Sequence, residues 1–248
     1  MQTKIDETEF RHNQLPYNSS ETEKEAIDRF ISECANYAIL SHKWLRGAPG
    51  ELTYDQWNKG SFLPESLGYK KLANFCRIVW RDYKLTLAWM DTICINKYSS
   101  SELDESIRSM YAWYERATVC TVYLSETQSI SELPHDSWFT RGWTLQELLA
   151  PRRLKFYGYN WDKLERWGAD DKARLFEFIE QATTISSREL QHVTRTPFSR
   201  RMQWAASREV TREEDMAYSL MGIFNVSISI AYGEGAERAF RRLLEEIL

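Results

Sequence analysis

The chain has 248 residues, with 32 Lys+Arg against 36 Asp+Glu and a formal net charge of −4. Its 43 % hydrophobic and 27 % charged residues suit a globular protein with a full core, and 10 Gly and 6 Pro are too few for a collagen-like or largely disordered chain. Mild acidity disfavours a general nucleic-acid binder, and no apolar run approaches the roughly 20 residues of a membrane helix, so neither nucleic acid nor membrane is an expected partner.

In chain order, residues 1–20 are polar and aperiodic and read as a loose arm. An amphipathic helix follows, marked by Ala26, Ile27, Phe30, Ile31 and Cys34. Tyr37-Ala-Ile-Leu-Ser41 is a short apolar run with polar flanks, expected as a buried strand. Residues 46–66 gather Gly and Pro and predict a long loop or broken hairpin. Tyr69, Leu72, Ala73, Cys76, Val79, Trp80 and Tyr83 recur at helical spacing, and Leu85-Thr-Leu-Ala-Trp-Met90 predicts a second strand. Ser101 with Asp104 has the spacing of a capping box for a helix to Arg116, with Leu103, Ile107, Met110 and Tyr114 on one face. Residues 118–124 predict a third strand, 125–139 a polar loop, 144–150 a short helix stopped by Pro151, and 154–159 a fourth strand. From Trp161 the pattern is mostly helical, over 170–182, 198–207, 213–221 (opened by Thr211 with Glu214) and 235–248. The last of these follows the Tyr232-Gly-Glu-Gly235 turn and shows Phe240, Leu243, Leu244 and Ile247 as its apolar face. It runs to Leu248, so the chain reads either as a piece of a longer protein or as a short stand-alone one.

Strands alternating with helices imply right-handed crossovers and a parallel sheet between two helical layers. The expected fold is an α/β three-layer sandwich. It comprises an arm and helix over 1–36, a core over 37–161, and a helical extension over 162–248 packed on that core. The cysteines (Cys34, Cys76, Cys94, Cys120) and histidines (His12, His42, His135, His192) form no short-spaced ligand set. They predict reduced, buried thiols, a cytoplasmic setting and no metal site. MQTKIDETEF has no signal-peptide core.

Ligands of open parallel sheets bind beyond the carboxyl ends of the strands. That rule selects Ser41-His-Lys-Trp44, Asp91-Thr92 and Ser125-Glu126. There is neither a GxGxxG nor a Walker loop. Ser41 and His42 either meet a ligand or satisfy backbone groups at a strand end. Trp44 and Trp89 either stack on a ligand or pack. Asp91 is either functional or a turn residue. Thr144 and Glu147 have capping-box spacing, which makes Glu147 a helix cap held ionised by backbone N–H groups. A carboxylate so held can also stabilise a developing cation. Arg141 stands upstream, ready to pair with Glu147 or with a phosphate.

Four strings occur in order: Tyr37-Ala-Ile-Leu-Ser-His-Lys-Trp44, Trp89-Met-Asp-Thr-Ile-Cys-Ile-Asn96, Ser109-Met-Tyr-Ala-Trp-Tyr114 and Trp138-Phe-Thr-Arg-Gly-Trp-Thr-Leu-Gln-Glu147. Together they resemble the HET (heterokaryon incompatibility) domain of filamentous fungi, over about residues 37–161. Arg200-Arg-Met-Gln-Trp-Ala-Ala206, Arg212-Glu-Glu-Asp-Met-Ala-Tyr218 and Tyr232-Gly-Glu-Gly235 resemble the downstream extension of many members. Leu45 stands where the family often has Gly, and Asn96 where close relatives have Asp, which removes a carboxylate from that loop.

The resemblance implies a cell-death effector in non-self recognition, a form of innate immunity, and a distant kinship with TIR domains. From TIR domains it implies a flavodoxin-like sheet, self-association into oligomers, an upstream receptor partner, and NAD+ or a related nucleotide as substrate rather than cofactor. The TIR pattern Trp-Cys-x-x-Glu-Leu is similar to Trp143-Thr-Leu-Gln-Glu147-Leu148, with Thr144 replacing Cys. By that likeness Glu147 is the key carboxylate of an NAD+ glycohydrolase with an oxocarbenium-like transition state. Ser41, His42 and Trp44 would meet nicotinamide or ribose and Asp91 a hydroxyl. Trp143 would line the substrate site, and Arg141 or Lys43 would meet the pyrophosphate. The alternative implied function is a non-catalytic, self-associating signalling module with Glu147 purely a cap.

Overall fold

The computed structural model of the chain describes residues 36–45, 50–164 and 169–248, together with Thr22 and Glu25. The expected arm over 1–20 and the helix of Ala26 to Cys34 lie outside the described residues. Residues 1–36 and 37–248 are two compact units. In the first, Glu25 Oε2 accepts from the backbone N–H and the hydroxyl of Thr22, at 2.8 Å each.

The second unit is built on four strands, β1 (Tyr37–His42), β2 (Leu87–Trp89), β3 (Val119–Tyr123) and β4 (Leu154–Tyr157). All pair parallel, in the order β2-β1-β3-β4. β1 and β3 are apolar runs because they are buried on both faces of the sheet. Their side chains alternate between two cores. Ala38, Leu40 and Val119 join Leu52, Phe75 and Val79 on one face. Ile39, Cys120 and Val122 join Trp138, Leu145 and Leu148 on the other.

On the first face, the expected loop 46–66 contains a helix, α1 (Tyr54–Asn58), closed by a capping box between Thr53 and Gln56. The next helix, α2 (Leu67–Ile78), continues as a π-helical turn over Val79–Tyr83 and ends at left-handed Lys84. Its buried stripe is Gly68, Lys71, Leu72, Phe75 and Ile78. The expected face is therefore corrected by part of a turn: Cys76 and Trp80 are exposed. The cause is Lys71, which occupies a core position that apolar periodicity discounts.

After β2 come α3 (Asp91–Cys94) and α4 (Ser100–Arg116). Ser99, not Ser101, caps α4 by accepting from the Glu102 N–H at 3.3 Å. Asp104, its expected partner, accepts instead from the Ile230 N–H at 2.9 Å. α5 (Trp143–Leu149) precedes β4, which ends two residues earlier than expected.

The C-terminal part contains α6 (Ala169–Thr183), α7 (Ser187–Gln191), α8 (Phe198–Ala206), α9 (Asp215–Tyr218), α10 (Met221–Phe224) and α11 (Ala236–Ile247). The expected helix over 213–221 is thus two short ones. Glu214 does not close a capping box with Thr211. Its carboxylate accepts from Gly233 and Gly235 N–H at 2.7 and 3.2 Å and pins the Tyr232 turn. Trp204, Tyr218 and Leu243 belong to the same core as Ile39. Among the described residues no helix is long and apolar enough to cross a membrane.

Candidate functional site

Successive strand residues point to opposite faces. At its carboxyl end β1 therefore sends Ser41 to the α5 face and His42 to the α2 face. A cavity of about 540 Å³ opens at this edge, within the range of small-molecule sites. His42, Trp44, Asp91, Arg141, Trp143 and Glu147 form one side of its wall, and residues 209–212, Asp215 and Tyr232 another.

On the α5 face, Ser41 Oγ accepts from Trp138 Nε1 at 2.8 Å and donates to Glu147 Oε2 at 2.5 Å. Both Ser41 and Trp138 are fully buried, so a fixed indole sets the direction of the hydroxyl. Burial pushes the Glu147 carboxyl up to about 7. Asp91's charge adds to the shift, while the Ser41 hydrogen bond, Arg141's charge and the Tyr114 hydroxyl oppose it. The reading of Glu147 as an ionised helix cap is corrected. α5 starts at Gly142 with no side-chain cap. Thr144 Oγ1 donates instead to the carbonyls of Trp138 and Arg141, at 2.6 and 2.9 Å.

On the α2 face the chemistry is the reverse. Asp91 Oδ1 lies 3.0 Å from His42 Nε2, and Oδ2 accepts from Trp44 Nε1 at 2.9 Å. Lys97 Nζ lies 3.7 Å from Oδ2 and 3.4 Å from the Trp44 ring centroid. Burial alone would raise the Asp91 carboxyl. The His42 hydrogen bond, the Lys97 charge and the Trp44 N–H outweigh it and hold the group well below the usual carboxylate range.

The structure thus brings His42, Trp44, Asp91, Arg141, Trp143 and Glu147 to one cavity, with Ser41 directly behind Glu147. Lys43 is not among them. Its ammonium bonds Glu126 Oε1 at 2.8 Å and Ser137 Oγ at 2.5 Å, away from the cavity wall. Of the two candidates for the pyrophosphate, Arg141 lines the cavity and Lys43 does not.

Sequence reasoning missed the wall contributed by the C-terminal part. Gly142 N–H donates to Glu209 O at 2.8 Å, and Glu209 N–H to Thr140 O at 2.6 Å. Gly142 permits this approach, since a Cβ there would stand 2.4 Å from Val210 Cγ1. Arg208 Nη1 donates to Arg141 O at 2.8 Å and Thr144 Oγ1 at 3.0 Å, tying the same wall to the start of α5. Tyr232 donates to Asp215 Oδ1 at 2.8 Å, and Arg212 stacks on the Tyr232 ring at 4.0 Å. The available signal was Arg212 and Tyr232, which lie in the segments Arg212–Tyr218 and Tyr232–Gly235 that resemble the HET extension. Chemically, the cavity pairs a fixed anion with a carboxyl able to exchange its proton near neutral pH, among aromatic rings.

The heterokaryon incompatibility protein (HET) family matches residues 37–136. The chain is 39 % identical over 226 residues to vegetative incompatibility protein HET-E-1 of Podospora anserina, a match covering 85 % of this chain and 16 % of that relative. This chain therefore spans only a small part of the curated relative's length. No solved structure matches it. Over residues 37–136 the chain is thus similar to the heterokaryon incompatibility (HET) family, and over a longer stretch to part of HET-E-1.

Proposed function

We propose that this chain acts in heterokaryon incompatibility and that its cavity hydrolyses NAD+ at the nicotinamide–ribose bond. The observation that carries the reading is the placement of the Glu147 carboxyl in the cavity wall at the carboxyl edge of the sheet. The strand order 2-1-3-4 supports a flavodoxin-like, TIR-related sheet. In the reaction the C1′–N bond breaks and its electron pair stays on nicotinamide, which leaves neutral. The ribosyl cation that forms is stabilised by ionised Glu147 and by Asp91. Water then bonds to C1′ and gives its proton to Glu147. Trp44 and Trp143 flank the planar rings, and Arg141 faces the pyrophosphate.

The test follows nicotinamide release from NAD+ by the chain, alone and under forced oligomerisation. Release should vanish in Glu147→Gln and should rise with pH through about 7 in the wild type, because the ionised carboxylate is the working form. No release in either state would overturn the hydrolase reading and favour the non-catalytic, self-associating signalling module.

A further inference from the structure

His42 has no free ring nitrogen. Nε2 lies 3.0 Å from Asp91 Oδ1, and Nδ1 lies 2.9 Å from Lys71 Nζ. A carboxylate only accepts and an ammonium only donates, so the ring that satisfies both is neutral, with hydrogen on Nε2 and a lone pair on Nδ1. Lys71 is only 4 % exposed. Its three N–H bonds meet three acceptors: Glu51 Oε2 at 2.6 Å, His42 Nδ1 at 2.9 Å and Lys43 O at 3.1 Å. Glu51 Oε2 is itself held by Leu45 N–H at 2.9 Å. Gly68 lets α2 rest on the backbone that carries Glu51, since a Cβ there would stand 2.4 Å from Leu52 N. His42 is faced by Lys71 from α2, Glu51 from the segment before it and Asp91 from α3, with Lys97 beyond Asp91. Burial and the Lys71 charge push His42 below its ordinary range, against the pull of Asp91 and Glu51.

We propose that Lys71, backed by Glu51, is a positioning residue of the cavity: its ammonium fixes His42 as the neutral Nε2–H tautomer, which holds Asp91 as an anion aimed at the ligand. His42 is then neither acid nor base, and proton exchange in the cavity falls to Glu147. Only the activity arm of the test rests on the NAD+ reading.

Two-bond proton–nitrogen correlation spectra of the chain with labelled histidine, His42 being assigned by its loss in His42→Gln, report the tautomer directly. The neutral Nε2–H pattern is expected throughout the neutral range. An Nδ1–H ring or an imidazolium there overturns the proposal. In Lys71→Met, His42 should become an imidazolium beside Asp91, and an unchanged tautomer and titration overturns the proposal equally. If that variant does not fold, the wild-type spectrum decides alone. In the activity arm, folded Lys71→Met should lose up to about 100-fold in kcat for nicotinamide release, with KM little changed, because Asp91 is no longer held in place. An unchanged kcat would overturn the positioning role. A wild type that releases no nicotinamide overturns the hydrolase reading and leaves the tautomer result standing.

Discussion

Asp91 and Glu147 reach one cavity from opposite faces of the sheet, and the two faces treat a carboxyl in opposite ways. On the α2 face, four polar groups stand in line, an ammonium and a neutral imidazole between two carboxyl groups, from Glu51 through Lys71 and His42 to Asp91. On the α5 face, Glu147 has one strong donor, Ser41, and otherwise lies beside Tyr114 and the larger apolar core. Neighbouring residues of β1 thus open onto a chain of linked polar groups and onto a sparsely polar pocket. The difference teaches that position at a strand end selects candidates, whereas the number of donors behind each candidate decides its charge.

The largest break in this contrast is Lys71→Met. It removes the direct cationic partner of buried Glu51 and leaves His42, 3.8 Å away, as the nearest cation it can gain. Removing one partner of a buried pair typically costs about 3–5 kcal/mol, and urea unfolding should show a loss of that size. A loss below about 1 kcal/mol would mean that the ionic chain does not hold the α2 face together.

Glu147→Gln sharpens the contrast with the opposite sign. The folded chain holds the Glu147 proton more tightly than the unfolded chain, at about 7 against 4.5. Its contribution is therefore fully present below pH 4.5 and is lost as pH rises to 7. Above pH 7 the ionised wild type is penalised by up to about 3 kcal/mol, at about 1.4 kcal/mol per unit. The Gln variant escapes that penalty. Its Tm should exceed the wild type's at pH 8, and the gap should close towards pH 4.5. Asp91, held below its ordinary range, has the reverse slope: its contribution is present above the ordinary aspartate range and fades in acid.

The four strands and most helices were legible because apolar runs and helical periodicity report burial directly. The carboxyl-edge rule then selected Ser41, His42 and Asp91, whereas Glu147 was legible only through its cap spacing and the TIR likeness. Lys71 was illegible for a physical reason: periodicity counts a lysine as solvent-facing, and only three convergent acceptors make it a core residue. Glu147's protonation was misread because Thr144 and Glu147 have cap spacing, while the Thr144 hydroxyl is spent on two carbonyls. The far wall escaped because nothing in the spacing of Arg208 and Glu209 announces that they bond to residues 140–142.

That pairing gives a third measurement. In Gly142→Ala the new methyl meets Val210 Cγ1 at 2.4 Å, and overpacking of this kind costs about 1–3 kcal/mol. Val210→Ala should restore part of the loss, and a double-mutant cycle should show coupling between the two sites. Purely additive effects would mean that the far wall is not held through Gly142.

Lys43→Ala is the smallest change, and it separates sequence adjacency from site membership. Lys43 lies between His42 and Trp44, yet its ammonium pairs with Glu126, whose side chain is 46 % exposed. Burial would raise the Glu126 carboxyl. The Lys43 hydrogen bond and those from Ser137 outweigh it and hold the group at about 2. Without Lys43, Glu126 keeps the Ser137 N–H and hydroxyl at 3.0 and 2.8 Å. A screened pair of this kind should contribute under about 1 kcal/mol. Nicotinamide release should be unchanged, since neither partner lines the cavity. A tenfold fall in kcat/KM would instead return Lys43 to the pyrophosphate, and would mean that the Lys43–Glu126 pair opens when the cavity fills.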